Sequence, residues 1–385
     1  METTVHGTVA PGLEPVRDAF AENFRSRGEV GAGLCIERDG QRIVDLWAGT
    51  RRGDEPWESD TCSVLFSGTK GLVASCLLLL VQRGELELDR PVQRYWPSLS
   101  VPVTVRQLLN HRSGLVGLDT SPMPHLDDPE SMAALLERQQ PMWIPGRAQG
   151  YGAVTAGLYN AELLRRVTTQ TVGPFFRDEV AGPLGLDLHI GLPEELTPAE
   201  LLPVTRLEFA RVMLTLVAGS GMDHRLFRAS AKKGTPTQRA TAQPTELGPN
   251  GLQNFNRREL LKKELPWCGG VGSARGMAGL YSRLACASGP WTARTLRPLW
   301  ARQSWATPDQ VLRKNLGWSQ AFLKEEPHLY SPHRESFGHP GAGGSFGFAD
   351  PVLGLGMGFV TRRMDWRMRS HRARSICHAL YDCLL

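Results

Sequence analysis

The chain has 385 residues, 41% of them apolar and 22% charged, with 41 glycines and 27 prolines. That is enough to bury a large core in one domain or in two interleaved subdomains. The formal charge of +5 is modest for the length and leaves no electrostatic footprint for a nucleic-acid partner.

The N-terminus, "METTVHGTVAPGLEP", has neither a basic start nor an apolar core, so no signal peptide is read there. Residues 12–27 place Leu13, Val16, Phe20 and Phe24 at helical spacing. "AGLCIERDGQRIVDLWAG" (32–49) follows, two strand-like runs around Asp39-Gly40. Asp-Gly between such runs signals a hairpin, because glycine accepts the positive φ of a tight turn. "LFSGTKGLVASCLLLLVQRG" (65–84) is the most apolar helical pattern of the chain. Its apolar run, 71–81, is too short to span a bilayer.

From 65 to about 300 the pattern is mostly helical, broken by Pro/Gly turns. Examples are "SMAALLERQQ" (131–140), "AVTAGLYNAELLRRVT" (153–168) and "ARGMAGLYSRLAC" (274–286). The stretch 222–264 is polar and weakly periodic, and is expected to be an irregular insertion or flap over a cleft. "GGSFGFADPVLGLGMGFVTRR" (343–363) repeats the hairpin layout around "ADPVLG", and a last helix is expected near 367–384. The basic run "TRRMDWRMRSHRAR" (361–374) reads as a solvated basic face at a helix end. Seven cysteines (35, 62, 76, 268, 286, 377, 383) form an odd set without a C-x-x-C pair. They read as reduced core residues of a cytoplasmic protein.

Ser67 and Lys70 stand three apart at the mouth of the apolar helix. Lysine is almost never fully buried without a partner. One turn apart on one face, Lys70 Nζ can reach Ser67 Oγ. Free N–H groups at the helix start favour developing negative charge. A serine hydroxyl becomes a nucleophile once a neighbouring base takes its proton, and an amine is such a base where desolvation disfavours its charged form. Spacing alone is a weak signal: "SAKK" offers Ser230 and Lys233 at the same interval, with no apolar helix behind them. Tyr151, in "WIPGRAQGYGAVTAG" (143–157), sits on a loop where its hydroxyl could pass protons or simply cap the core. In "FGHPGAGGSFGFADP" (337–351), glycines ahead of a strand let backbone approach a ligand. His339 there could equally be a loop histidine bonded to backbone.

Together and in this order, these segments resemble the serine β-lactamase/penicillin-binding-protein superfamily, more closely its class C-like esterase branch, over most of the chain. "FSGTKG" resembles the Ser-x-x-Lys motif, "PGRAQGYGAVTAG" the segment with the family's tyrosine, "HRSGL" (111–115) a recurrent loop, and "GHPGAGGSFGFADP" the Lys-Thr-Gly motif. The resemblance implies an α+β fold. Its five-stranded antiparallel sheet, flanked by terminal helices, would come from 1–64 and 270–385. A mainly helical subdomain would come from 65–269, with the cleft between the two. It implies Ser67 as acylated nucleophile, Lys70 as its base and Tyr151 as proton relay. The oxyanion hole would be the backbone N–H groups of Ser67 and Ala342, and His339, Gly341 and Gly152 would face substrate.

Two motifs depart from the family. Tyr-x-Asn is here Tyr151-Gly152-Ala153, without the amide side chain, and Gly152 is expected to open space. Lys-Thr-Gly is here His339-Pro340-Gly341, without the groups that hold a β-lactam carboxylate. A neutral ester suits such a site better than penicillin. The expected activity is hydrolysis of a small carboxylic ester through a Ser67 acyl intermediate. The alternative is ATP-independent acyl transfer to an amine or alcohol in secondary-metabolite (antibiotic) biosynthesis. A silent binding relative has no reason to keep all three polar groups. No H-E-x-x-H occurs, and His371 and His378 lie seven apart on one helix face. "GGVGSARG" (269–276) lacks the setting of a nucleotide loop. No cofactor, metal, nucleic-acid or membrane partner is expected.

Overall fold

The computed structural model describes residues 3–118, 128–241, 247, 251–326 and 329–385. Its main sheet has ten strands. Nine carry labels here: β1 (Val5–Val9), β2 (Gly31–Arg38), β3 (Gln41–Arg52), β4 (Ser304–Ala306), β5 (Leu316–Ser319), β6 (Phe322–Lys324), β7 (Phe337–Pro340), β8 (Phe346–Asp350) and β9 (Leu355–Thr361). They lie in the order β1-β3-β2-β9-β8-β7-β6-β5-β4, with a two-residue strand at Glu55–Pro56 added to β3. Every pairing is antiparallel.

Both expected hairpins form, β2–β3 around Asp39-Gly40 and β8–β9 around 351–354, and β2 pairs with β9 from Ala32 opposite Thr361 to Arg38 opposite Leu355, across the middle of the sheet. The two ends of the chain thus share one sheet. Five strands were expected and ten are present. The additional strands at 304–306, 316–319 and 322–324 are three or four residues long, the last two buried throughout. Such runs have too little alternation to stand out as strands in sequence.

The sheet is covered on both faces by helices: α1 (Glu14–Ser26) and α7 (His371–Leu384) on one, α6 (Ala274–Cys286) on the other. Alternation along β9 explains the split. Leu355, Met357 and Phe359 join the cluster of Val16, Phe20, Ile376 and Leu380 under α1 and α7. Between them, Gly356 and Gly358 present bare backbone to α6. A Cβ at Gly356 would lie 2.1 Å from Ser282 N, and one at Gly358 2.2 Å from Ala274 O. The two glycines let helix and strand backbones touch, which a side chain would forbid.

The second body of helices is centred on α2 (Thr69–Gln82). Its residues 69–80 are all buried, and Leu72 and Leu77–Leu80 each contribute roughly 1.5–3 kcal/mol by leaving water. It packs against α3 (Thr155–Thr168). A small sheet of Ser63–Val64, Gly270–Gly272 and Leu188–Ile190 sits at its N-terminal end.

Two expectations are corrected here. The stretch 222–264 is not irregular where it is described: it holds all but the first residue of α5 (Gly221–Ala231), which follows α4 (Arg206–Ala218), and helical turns at Pro236–Thr241, Gly251–Asn256 and Arg258–Lys262. Residues 242–246 and 248–250 of it lie outside the described residues. Its anchors, Leu226, Ala240, Phe255, Leu260 and Leu261, are too unevenly spaced to make a periodic signal. The run 361–374 is not a solvated face. Arg372 donates to Glu29 at 3.1 Å with both side chains buried, Arg362 to Glu200 at 2.7 Å, and Arg369 to Glu326 at 2.9 Å. Those acids are far away in sequence, so nothing local announced them. All seven cysteines are free, five of them buried.

Candidate active site

Ser67 lies in the single turn Phe66–Gly68 that leads into α2. Phe66, just before it, has a φ of +46°, a left-handed conformation costly for a bulky residue and held here by the buried Phe66 ring against Phe255. Lys70, in the first turn of α2, is 3% exposed, so it does not snorkel. Its Nζ lies 3.2 Å from Ser67 Oγ and donates to Trp267 O at 2.8 Å. The Tyr151 hydroxyl is 3.1 Å from Ser67 Oγ, and Lys70 Nζ sits 5.2 Å from the Tyr151 ring centre. Three groups expected from sequence therefore meet at one oxygen. Ser230, the decoy, donates to Phe227 O instead.

Tyr151 is held from behind. Its backbone N–H donates to the buried carboxylate of Asp309 at 3.1 Å, and its ring stacks on Trp318 with centres 5.5 Å apart and planes within 6°. His111 fills the angle between the two, 3.9 Å from Trp318 and 5.3 Å from Tyr151. Its Nδ1 accepts the Gly152 N–H at 3.2 Å, which requires the ring nitrogen to be unprotonated. Burial, and then the charge of Lys70, lower the His111 pKa to about 3. Sequence reading noticed "HRSGL" without assigning His111 a contact, and missed Asp309 and Trp318 altogether. No motif carries them; they come from a loop and a short strand more than 150 residues beyond Tyr151.

The turn after β7 closes the other side. Gly341 donates to Ser345 O at 2.7 Å, and Ser345 Oγ donates to Leu65 O at 3.0 Å. A Cβ on Gly341 would lie 2.3 Å from that Leu65 oxygen, so glycine is needed for the turn to reach the Ser67 loop. Ser67 and Ala342 both line the cavity, and no backbone carbonyl among the described residues takes the N–H of either. His339 Nδ1 must carry the proton it gives to Pro340 O at 3.0 Å, because a carbonyl only accepts. Burial, and then Lys70, hold the imidazole pKa well below the ordinary histidine range. His339 is thus neutral, with Nε2 buried and without a hydrogen-bond partner among the described residues. A neutral ring cannot replace the lysine that binds a β-lactam carboxylate. Gly152 does not open room for substrate as expected. It is absent from the cavity wall, and the space of its Cβ is filled by Thr155 Oγ1 at 2.7 Å and Ala156 N at 3.0 Å.

The cavity itself has a volume of about 670 Å³. Phe66, Phe255, Trp267, Leu312, Trp318 and Met364 make most of its wall apolar, and Leu226, Phe227 and Thr241 bring in the 222–264 stretch. Among the described residues no cluster of side chains is suited to a metal ion, and no helix is long and apolar enough to cross a membrane.

Residues 16–380 match the family model described as Beta-lactamase. The chain belongs to the beta-lactamase family. This family member is 30% identical over 377 residues to the esterase/beta-lactamase LipL of Mycobacterium tuberculosis, a match covering 94% of this chain and 83% of that protein. It is similar to the crystal structure of a family VIII carboxylesterase, with TM-score 0.83 and 33% identity over 99% of this chain and 100% of that one. A penicillin-binding-protein homologue from Caulobacter crescentus matches with TM-score 0.81 and 28% identity, again over 99% and 100%. The fold and the superfamily read from sequence are thereby established, and with them an esterase/β-lactamase-like serine hydrolase class.

The two neutral histidines make folding pH-dependent in a definite direction. An exposed histidine titrates near 6.5, whereas His111 in the fold titrates at about 3. Below 6.5 the unfolded chain binds a proton that the folded chain refuses, so stability falls as pH falls from 6.5 towards 3. Urea midpoints for the wild type are expected to drop between pH 7 and pH 5, before most carboxylates titrate, and less steeply for His111→Gln. Parallel slopes for the two proteins would rule out His111 as the source.

Proposed function

We propose that this family member is a serine esterase that cleaves a neutral carboxylic ester through an acyl intermediate on Ser67. The observation that carries the reading is the convergence of Lys70 Nζ at 3.2 Å and Tyr151 OH at 3.1 Å on Ser67 Oγ, at the wall of an apolar cavity. Lys70 takes the hydroxyl proton as Oγ attacks the ester carbonyl carbon. The carbonyl oxygen, now negative, receives hydrogen bonds from the N–H groups of Ser67 and Ala342. As the C–O bond breaks, Tyr151 delivers a proton to the departing alkoxide and is reprotonated through Lys70. Water then repeats the sequence on the acyl-enzyme and releases the acid. The neutral His339 and the apolar wall favour an uncharged substrate.

The same intermediate supports a second reading, favoured by the apolar lining and by room beyond a short ester: an alcohol or amine acceptor in place of water. One experiment separates them. Pre-steady-state release of p-nitrophenol from a short acyl ester is expected to show a burst of one equivalent, with intact mass raised by one acyl group on the peptide holding Ser67. Amines that accelerate turnover and appear in the product make the protein a transferase; unchanged turnover makes it a hydrolase. No burst and no adduct would end the acyl-enzyme reading.

Tyr151 has its own signature. p-Nitrophenolate leaves without a proton, whereas an alkoxide needs one. Tyr151→Phe is therefore expected to slow an alkyl ester by about 10²-fold or more and a p-nitrophenyl ester much less. Equal losses on both would assign Tyr151 to positioning instead.

A further inference from the structure

Helix α4 carries apolar side chains around most of its circumference, broken by one side with Glu208, Arg211 and Thr215, and none of its residues is buried. Leu207, Phe209, Met213, Leu214 and Val217 are exposed, Val217 to 82%. A helix of this composition normally sits in a core, and a contiguous exposed set marks a surface that meets something apolar. Phe209 and Val212 reach the active-site cavity, whereas Leu207, Leu214 and Val217 are not part of its wall. The spacing of those three, seven residues and then three, puts them on one stripe of the helix.

Charge surrounds that stripe and is nearly all of one sign. Arg206, Arg211, Arg225, Arg228, Lys232 and Lys233 are exposed. The stretch 205–234 has only two carboxylates, and both are engaged. Glu208 caps the start of α4 by accepting from Thr205 N at 2.8 Å, and Asp223 accepts from Met368 N at 3.2 Å.

We propose that the outer face of α4 and α5 docks on an anionic lipid surface. Leu207, Leu214 and Val217 enter the boundary between headgroups and acyl chains, and the arginines and lysines around them meet headgroup phosphates. With 13 residues, α4 is too short to span a bilayer and lies in its surface. A second copy of the chain fits less well. A two-fold interface through this face would set basic residues against basic residues. The stripe also offers on the order of a few hundred Å², short of the roughly 800 Å² per partner of a stable interface. Because α4 also walls the cavity at Ser67, an acyl ester held in the lipid would meet the site without crossing bulk water. Lipid docking itself does not depend on the chemistry proposed for Ser67.

Cosedimentation with vesicles tests it, using phosphatidylglycerol/phosphatidylcholine mixtures against phosphatidylcholine alone. The wild type is expected to bind the anionic vesicles, and high salt to weaken that binding. Leu214→Ser/Val217→Ser and Lys232→Glu/Lys233→Glu are each expected to lose about tenfold or more in partitioning. Both variants should keep the wild-type melting temperature and the wild-type rate on a soluble p-nitrophenyl ester, so a failed vesicle result stands apart from a failed esterase reading. Absence of binding, equal binding by the variants, or equal uptake by neutral vesicles would overturn the proposal. A wild-type dimer that the Leu214/Val217 variant dissociates would also overturn it and give the face to a second copy.

Discussion

Replacing Ser67 by alanine is expected to lower kcat for any ester by about 10⁵-fold or more and to abolish both the burst and the acyl adduct. The alanine removes the one oxygen on which Lys70 and Tyr151 converge and leaves each of them without that contact. It does not remove the cavity or the backbone N–H groups at 67 and 342, so ester binding should persist and KM should change little. Ser67 is only half-buried and sits in the middle of a turn whose other contacts are backbone or come from Phe66. The melting temperature should therefore stay close to wild type. Full activity with an adduct on another residue would mean that the cavity serves a different nucleophile, and the Ser-x-x-Lys reading would be wrong.

Lys70→Met is expected to cost about 10³–10⁴-fold in kcat and, unlike the serine variant, to change the protein around the site. Lys70 Nζ gives the Trp267 carbonyl its hydrogen bond at 2.8 Å, and methionine fills the volume without a donor. The buried carbonyl is left unpaired, which costs about 1–3 kcal/mol. The chain ahead of the Gly270–Gly272 strand should loosen accordingly. The proton-transfer role has a separate readout: added small amines, raised in concentration, should partly restore the burst by standing in for the missing amine. Rescue that follows amine basicity supports the base assignment. A variant that loses stability but keeps its burst rate would reduce Lys70 to a tether between α2 and Trp267.

The contrast with ion-pair chemistry elsewhere in the chain is instructive. Lys70 is buried against neutral oxygens, whereas Arg362, Arg369 and Arg372, buried or partly buried, pair with carboxylates. Removing one partner of such a pair strands the other charge, so these late arginines hold β9 and α7 to the rest of the fold. Among the described residues the exposed cations around α4 show no such engagement with the core, and this difference in burial separates a structural basic run from a docking one.

Ser67 and Lys70 were legible in sequence because their geometry is local: three residues along a helix fix the approach of the two side chains wherever that helix lies. The same holds for the hairpins at Asp39-Gly40 and 351–354 and for the helices at 14–26, 155–168 and 274–286, whose backbone hydrogen bonds join near neighbours. Order and chemistry of the three motifs sufficed for the superfamily. Tertiary structure alone decided what lies between distant segments. Tyr151 meets Ser67 across 84 residues and Trp267 meets Lys70 across 197. The glycines of β9 make sense only with α6 pressed against them, and Gly152 turned out to be filled space, not open space. The basic run at 361–374 was misread for the same reason: Glu29 and Glu200, which neutralise it, lie 343 and 162 residues from their arginines. A sequence states the period of each segment, and so which of its faces must leave water. Which partner covers that face is set by packing between segments, and no local pattern records it.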